Sequence, residues 1–94
     1  MKREEVLNKA LEIVKGAREE QYGTPEDCFY TIAQMWSAYL GKTLNSVDVA
    51  MMMILLKIVR SKNNQEYDDN YIDIAGYAAC AGECQQSCHH LSKE

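Results

Sequence analysis

Apolar side chains at the start of the chain recur at the spacing of one helix face. Val6, Ala10, Ile13 and Val14 follow an i, i+4, i+7, i+8 pattern, which Leu7 and Leu11 broaden, and the other positions between them are polar or charged. The pattern predicts a first helix over about residues 3–20 with one buried face. Gly23 is suited to the left-handed conformation that ends many helices.

Three further helices are predicted from capping residues at their starts. Thr24 can cap a helix, and Pro25 suits the first helical position. Asn45 or Ser46 can cap the next helix, and the Asp and Asn residues at 68–70 can cap the last. The predicted helices span about residues 25–40, 46–61 and 69–86. With no convincing strand, the fold class is all-α, a four-helix bundle-like protomer.

Length and composition indicate a single small domain. The chain has 94 residues, of which 47% are hydrophobic and 26% charged, as in soluble globular proteins. We expect one helical domain over residues 1–86 and a flexible C-terminal tail over 87–94. A net charge of −4 argues against duplex nucleic acid as a partner. The longest apolar run, at 49–56, is too short to cross a bilayer, and no apolar leader precedes the first helix, so we expect a cytoplasmic protein.

The third and fourth helices are more apolar than a small monomer requires. Residues 49–56 are apolar on every side of the third helix, and the fourth helix is nearly so. Four helices in one protomer can bury one stripe each. The excess predicts a homo-oligomer that forms through helices 3 and 4.

Asp73 is the most informative polar residue. A helical wheel predicts a core-facing side of the fourth helix composed of Tyr71, Ala75, Ala78 and Gly82. The opposite side carries Asn70, Asp73, Tyr77, Cys80 and Cys84. A carboxylate among largely apolar neighbours either pairs with a cation or faces a ligand or metal, and a structural ion pair across a subunit contact is an equally good interpretation.

Lys57 and Arg60 are the natural partners of that carboxylate. They lie three residues apart on one side of the third helix, at the end of its apolar run. They can serve as ordinary cations of a last helical turn or as a clamp for an anion such as phosphate. Asp48 lies about 180° from Lys57 on the wheel and is more simply explained as a capping residue.

Two further groups could contribute chemistry. The junction after the first helix carries Arg18, Glu19, Glu20 and Tyr22, at a position where loops often carry function. Near the C-terminus, side chains that could ligate zinc recur at helical spacing: Cys80, Cys84 and Cys88, followed by His89 and His90. That spacing is not a usual zinc pattern, and thiols that fill a close helix contact explain Cys80 and Cys84 equally well.

Four motifs resemble those of a family of small phage and prophage proteins of unassigned function, often described as MazG-like. They are Tyr22-Gly23-x-Pro25, Trp36-x-x-Tyr39-Leu40-Gly41, Asp48-Val49-Ala50-x-Met52-Met53-x-Leu55-Leu56-Lys57-x-x-Arg60 and Asp69-Asn70-x-x-Asp73-x-x-Gly76-Tyr77-Ala78. Together they cover most of residues 6–85 in order. The resemblance implies an all-α fold.

A wider similarity links the chain to the all-α nucleoside-triphosphate pyrophosphohydrolases through Asn70-x-x-Asp73-Ile74-x-x-Tyr77. In that superfamily a Glu-x-x-Asp pair on the last main helix holds magnesium opposite a Glu-x-x-Glu pair. Here Asn70 replaces the first Glu, and helices 2 and 3 contain no Glu-x-x-Glu. Because Mg²⁺ needs anionic oxygen ligands, these departures weaken the case for hydrolysis and leave nucleotide binding open.

The resulting hypothesis is a protein that binds a phosphorylated nucleotide-type ligand without a cofactor. Lys57 and Arg60 would hold the phosphates, with Arg18 as a third candidate. Asn70 and Asp73 would contact the ribose or base, and Tyr22 or Tyr77 would pack on the ring. In a phage setting, which only the resemblance implies, such a protein could sequester a host nucleotide signal in the host cytoplasm.

Two alternatives stay open, so the sequence does not decide whether the protein is an enzyme. The first is a Mg²⁺-dependent nucleoside-triphosphate pyrophosphohydrolase with Asp73 and Asp69 as catalytic residues. Its metal cage would draw on neighbouring chains and comprise Asp73, Asp69, Asp48 and Glu19 or Glu20. The second alternative is a protein-interaction module that docks a partner through helices 3 and 4.

Overall fold

All regular secondary structure in the described part of the chain is helical. The computed structural model describes residues 1–16 and 23–92, with side chains described up to residue 86. Four helices follow one another: α1 (Arg3–Lys15), α2 (Pro25–Leu40), α3 (Ser46–Asn63) and α4 (Asp68–Ser92). The predicted all-α, four-helix fold class is therefore confirmed.

Helix starts agree with the prediction more closely than helix ends do. α2 begins and ends where predicted, and α3 begins at Ser46 as predicted and ends two residues late. α1 ends at Lys15, and residues 17–20 of the predicted helix lie outside the described residues. α4 begins one residue early and ends at Ser92, six residues beyond the predicted end. Whether 87–94 is a flexible tail stays a prediction.

The capping residues explain why the starts are well determined. Thr24 Oγ1 accepts a hydrogen bond from the Asp27 backbone N–H at 3.2 Å, which satisfies a free donor in the first turn of α2. At the other end Gly41 adopts a left-handed φ of 69° and donates its N–H to the Ser37 carbonyl at 2.9 Å.

α4 is the central helix of the bundle. It packs on α1, α2 and α3, and most extensively on α3, to which the short connection 64–67 joins it as an antiparallel hairpin. α1 packs chiefly on α4. The core lies where α2, α3 and α4 meet and consists of Phe29, Ala33, Val49, Ala50, Ala81 and Cys84. None of the helices, as far as they are described, is long and apolar enough to cross a membrane.

The orientation of α4 reverses the wheel prediction. Tyr71, Ala78 and Gly82, which were predicted to face the core, are exposed. Asn70 and Cys84, on the opposite side, are buried. The prediction was wrong because alanine and glycine fit a solvated helix surface as well as a packed one, so they do not identify the buried face.

α3 has two apolar faces, of which only one is packed. Val49 and Ala50 are fully buried in the core. On the opposite side six large side chains are each between 38% and 62% exposed, and we call them the outer face of α3: Met51, Met52, Leu55, Leu56, Ile58 and Val59. Within one protomer, therefore, only one of the two apolar faces of α3 is buried.

Candidate ligand-binding site

An ion pair joins the middle of α3 to the first part of α4. Lys57 Nζ lies 2.8 Å from Asp73 Oδ2, and the two side chains are 14% and 13% exposed. In the antiparallel hairpin, the C-terminal half of α3 lies beside the N-terminal half of α4, and this brings Lys57 and Asp73 together. The structure therefore shows the cation partner that the sequence predicted for Asp73, and the pair lies within one protomer.

Asp73 also lines a cavity of about 320 Å³ between the four helices. Ile13 and Val14 of α1 lie on one side of it, and Phe29 and Ile32 of α2 lie on another. α3 contributes Met53, and α4 contributes Gly76 and Tyr77 besides Asp73. Asp73 is the single described lining residue that carries a formal charge at neutral pH. The described part of the cavity wall is therefore apolar apart from one carboxylate.

Aromatic rings form part of that wall. The ring centroids of Tyr77 and Phe29 are 6.2 Å apart, with 34° between the ring planes, which is a tilted contact of the kind aromatic pairs prefer. Tyr77 was predicted as a site residue, and it lies on the cavity one turn after Asp73. A flat ring that enters the cavity would meet an aromatic surface.

α1 contacts α4 beside the cavity, at a point where an alanine would also fit. A Cβ atom placed on Gly76 would lie 3.6 Å from Val14 Cγ1, which is ordinary contact distance. The sequence interpretation assigned no role in the site to Ile13, Val14 or Met53. Their apolar spacing identified them as buried helix positions, and nothing in that pattern distinguishes a cavity wall from a filled core.

A second cavity of about 310 Å³ adjoins the first one. Val14, Pro25 and Cys80 line both, so the two volumes meet at the contact of α1, α2 and α4. The second cavity is more polar than the first, because Lys15 and Glu83 belong to its lining. Cys80 and Cys28 belong to the first cavity wall, and Cys84 is buried in the core.

The other predicted ligand-contacting residues are placed differently. Arg60 is exposed, one turn beyond Lys57, and forms no ion pair with any residue of the described segments. Asn70 is only 4% exposed, one turn before Asp73, and does not line the cavity. Arg18 and Tyr22 lie outside the described residues, so their predicted roles stay predictions.

Tyr67 adds a polar contact that the sequence interpretation missed. Its side chain is hydrogen-bonded to Asp69, and this bond together with the negative charge of Asp69 raises the pKa of the Tyr67 hydroxyl above 10.0. Asp73 has the same effect from farther away, and Lys57 opposes it. Tyr67 and Asp69 therefore share the electrostatic environment of the ion pair at the start of α4. The proximity of Tyr67 to the two acids along the chain was the available signal.

Of the acidic residues of the magnesium alternative, the structure shows a capping role for Asp48 and does not describe Glu19 or Glu20. Asp48 belongs to the first turn of α3, where it exchanges hydrogen bonds of 2.9 Å with Asn45: each backbone N–H donates to the other side chain. Glu19 and Glu20 lie outside the described residues, as do the side chains of Cys88, His89 and His90. Among the side chains described, no three of His, Cys, Asp or Glu lie close enough together to hold a metal ion.

The donors around Asp73 do not fit a resident Mg²⁺. An ammonium group 2.8 Å from the carboxylate would repel a divalent cation placed at the same oxygen. The neighbouring position where the superfamily motif has a second acid is the neutral Asn70. Magnesium prefers an octahedral set of mostly anionic oxygens, and this wall of the cavity supplies one carboxylate that is already paired.

Comparison with known proteins places the chain in a family. Residues 5–85 match the family described as Domain of unknown function (DUF6378), so the chain belongs to that family. It is 42% identical over 77 residues to the Gene 55 protein of Mycobacterium phage D29, which covers 82% of this chain and 51% of the relative. It is also 42% identical over 81 residues to the Gene 55 protein of Mycobacterium phage L5, with coverages of 85% and 52%.

These matches support the broad part of the resemblance and leave the finer part open. The similarity to phage proteins is confirmed, and the chain spans about half the length of the curated relatives it matches. Neither the family description nor the names of the relatives state an activity. No solved structure matches the chain. The MazG-like link and nucleotide binding stay predictions.

Proposed function

We propose that this chain binds a nucleotide-type small molecule, whose base and sugar occupy the cavity beside Asp73. The observation that carries the proposal is a mostly buried carboxylate, fixed by Lys57 at 2.8 Å, in a cavity wall whose other described residues carry no charge. A charged group in such a wall serves to orient a ligand when apolar contacts supply most of the binding area.

The size of the cavity favours a ring system with its sugar over a whole nucleoside triphosphate. At about 320 Å³ it lies at the small end of the range for ligand pockets, roughly 300–1,000 Å³. Tyr77 and Phe29 offer an aromatic surface for a ring. A strongly hydrated phosphate chain would stay outside the apolar volume because its burial there would go uncompensated.

Asp73 is suited to contact hydrogen-bond donors of the ligand. An ionised carboxylate only accepts hydrogen bonds, so its complements are ring N–H groups, exocyclic amines and ribose hydroxyls. Lys57 would hold the Asp73 carboxylate in place, which makes Lys57 a positioning residue in this proposal. It was predicted from the sequence to hold phosphate, and its contact with Asp73 supports this different use of the charge.

Phosphate contacts would then depend on the other cations of the site. Arg60 follows Lys57 by one turn, about 4.5 Å along the axis of α3, and its guanidinium is exposed. It is suited to bind a phosphate that extends from the cavity past the ion pair, because guanidinium groups bind phosphate bidentately. Arg18 is the second candidate for this role.

The biological setting forms part of the proposal. Homology to mycobacteriophage proteins supports a phage-encoded protein that acts in the host cytoplasm. A binder without hydrolytic chemistry would lower the free concentration of a host nucleotide. Sequestration of a nucleotide signal is therefore the role that we propose for it.

Calorimetric titration with a panel of nucleosides and their mono-, di- and triphosphates tests the proposal. At least one base should bind, and Asp73→Asn should weaken its binding about tenfold or more, since it removes the charge from the carboxylate. Glu66→Gln removes an exposed charge elsewhere and serves as the matched control. Arg60→Ala should weaken the nucleotide and leave the corresponding nucleoside unaffected.

The competing functions give different results in the same experiments. Absence of binding by every member of the panel at millimolar concentration would refute the proposal. Release of pyrophosphate from a nucleoside triphosphate, lost in Asp73→Asn, would establish the hydrolase alternative. A protein partner whose binding is insensitive to Lys57→Ala and Arg60→Ala, without any nucleotide binding, would establish the interaction module.

A further inference from the structure

The outer face of α3 is an unusually large apolar surface for a chain of this size. Its six side chains are on average about half exposed, which leaves on the order of 500 Å² of apolar area. This is near the upper end of the largest patch on a typical monomer. A stable interface buries about 800 Å² per partner, so this face could supply more than half of one.

The polar residues at the two ends of this face are arranged symmetrically. By the 100° rule Asp48 and Lys62 project from the same side of α3 as Leu55, which lies at the middle of the face. Asp48 precedes Leu55 by seven residues and Lys62 follows it by seven, about 10 Å in each direction. The surface between them is apolar, with an acid at one end and a base at the other.

We infer that this face binds a second copy of the same chain, with the two α3 helices antiparallel and the two-fold axis at Leu55. That arrangement places Leu55 against Leu55 of the second copy and Met51 against Val59 of the second copy. It also places Asp48 near Lys62 of the second copy, twice by symmetry. An isologous interface requires such self-complementarity, and antiparallel helix dipoles add to it.

A second copy fits the pattern better than an unrelated partner does. The charges at the two ends complement each other only when the facing helix has the same sequence and runs in the opposite direction. The row Met51, Leu55 and Val59 has the i, i+4 spacing whose ridges interdigitate when like helices pack. The ion pair of Lys57 and Asp73 lies on the other side of α3, so the cavity stays accessible in this dimer.

Sedimentation velocity or light scattering of the purified chain across the micromolar range tests the inference. The wild-type chain should be a dimer. Leu55→Glu should raise the dissociation constant by about 100-fold or more, because it places two like charges together at a desolvated centre. Leu7→Glu replaces a similarly exposed leucine on α1 and should leave the dimer intact.

Cysteine cross-linking tests the geometry separately. Leu55→Cys should form an intermolecular disulfide under mild oxidation, because residues on a two-fold axis approach each other closely. Met51→Cys alone should give no more cross-linked dimer than the wild type, whereas the double variant Met51→Cys/Val59→Cys should cross-link. A monomeric wild-type chain with a normal helical circular dichroism spectrum would overturn the inference. Cross-linking of Met51→Cys alone at the Leu55→Cys level would overturn the antiparallel arrangement.

Discussion

Lys57 and Asp73 form a 2.8 Å ion pair whose side chains are about seven-eighths buried. The pair connects the two most extensively packed helices and at the same time fixes a carboxylate in a cavity wall. Buried ion pairs contribute little net stability relative to apolar residues of similar size, yet loss of one partner is costly. Its position in a cavity wall is the reason to assign it a function beyond stability.

Replacement of Lys57 by methionine should destabilise the fold by about 2–3 kcal/mol, somewhat below the cost for fully buried pairs because both side chains keep some water contact. The cause is the loss of the ammonium group from a carboxylate that has little access to water. Chemical denaturation measures the free energy of unfolding. Lys9→Met, at an exposed position of α1 without a described ion pair, should change it by less than about 0.5 kcal/mol.

The double variant Lys57→Met/Asp73→Leu completes a mutant cycle. Its loss of stability should be smaller than the sum of the two single losses by about 1–3 kcal/mol, since neither charge then stays behind. Strict additivity would show that the two groups do not interact in solution.

Alkaline titration should detect the raised pKa of Tyr67. Because its pKa is raised above 10.0, the folded state holds the hydroxyl proton more tightly than the unfolded state does. The resulting stabilisation is complete below pH 10 and is lost as the pH rises through the folded-state pKa. Ultraviolet titration should show a late-ionising tyrosine that is lost in Tyr67→Phe and that ionises at lower pH in Asp69→Asn.

Asn45→Ala should lower the free energy of unfolding by about 1 kcal/mol, because it removes the reciprocal cap at the start of α3. The Asp48 N–H loses its acceptor, and the bond from the Asn45 N–H to Asp48 loses the partner bond that helps to hold it. Thermal unfolding followed by circular dichroism measures the loss. Asn45→Asp should retain most of the stability, since Asp also caps helices. Equal losses in both variants would contradict the capping role.

Two glycines should respond to alanine in opposite directions. A Cβ at either Gly41 or Gly82 would meet no atom within 4 Å, so steric clashes play no part. Gly41 has a φ of 69°, and Gly41→Ala should cost about 1 kcal/mol of unfolding free energy. Gly82 is an exposed interior residue of α4, and Gly82→Ala should add about 0.5–1 kcal/mol. Denaturant titration of both variants measures the contrast.

Helix starts could be predicted from the sequence because the signals are local. The Thr24 side chain and the Asn45–Asp48 exchange lie within three residues of the donors they satisfy. The end of α4 gave no such signal, since no Gly or Pro follows residue 86 to stop the helix. Local chemistry determines a helix start whether or not the rest of the chain is folded.

The candidate site could be predicted only in part. The sequence indicated that Asp73 either pairs with a cation or faces a ligand or metal and that Lys57 was an available cation, and the structure pairs the two. It could not indicate which side of α4 is buried, because that depends on where α1, α2 and α3 pack. Ile13 and Met53 line the cavity because of the distance between their helices, and the spacing of apolar residues in the sequence carries no information about that distance.

The attachment of α1 has a consequence for how a guest molecule would enter. α1 is held mainly by α4, and its Ile13 and Val14 line the cavity. A helix secured by one neighbour detaches at a lower free-energy cost than one held on several sides. Separation of α1 from α4 would therefore open the cavity without unfolding the other three helices. A ligand that contacts both α1 and α4 would oppose this separation and slow amide hydrogen exchange along α1.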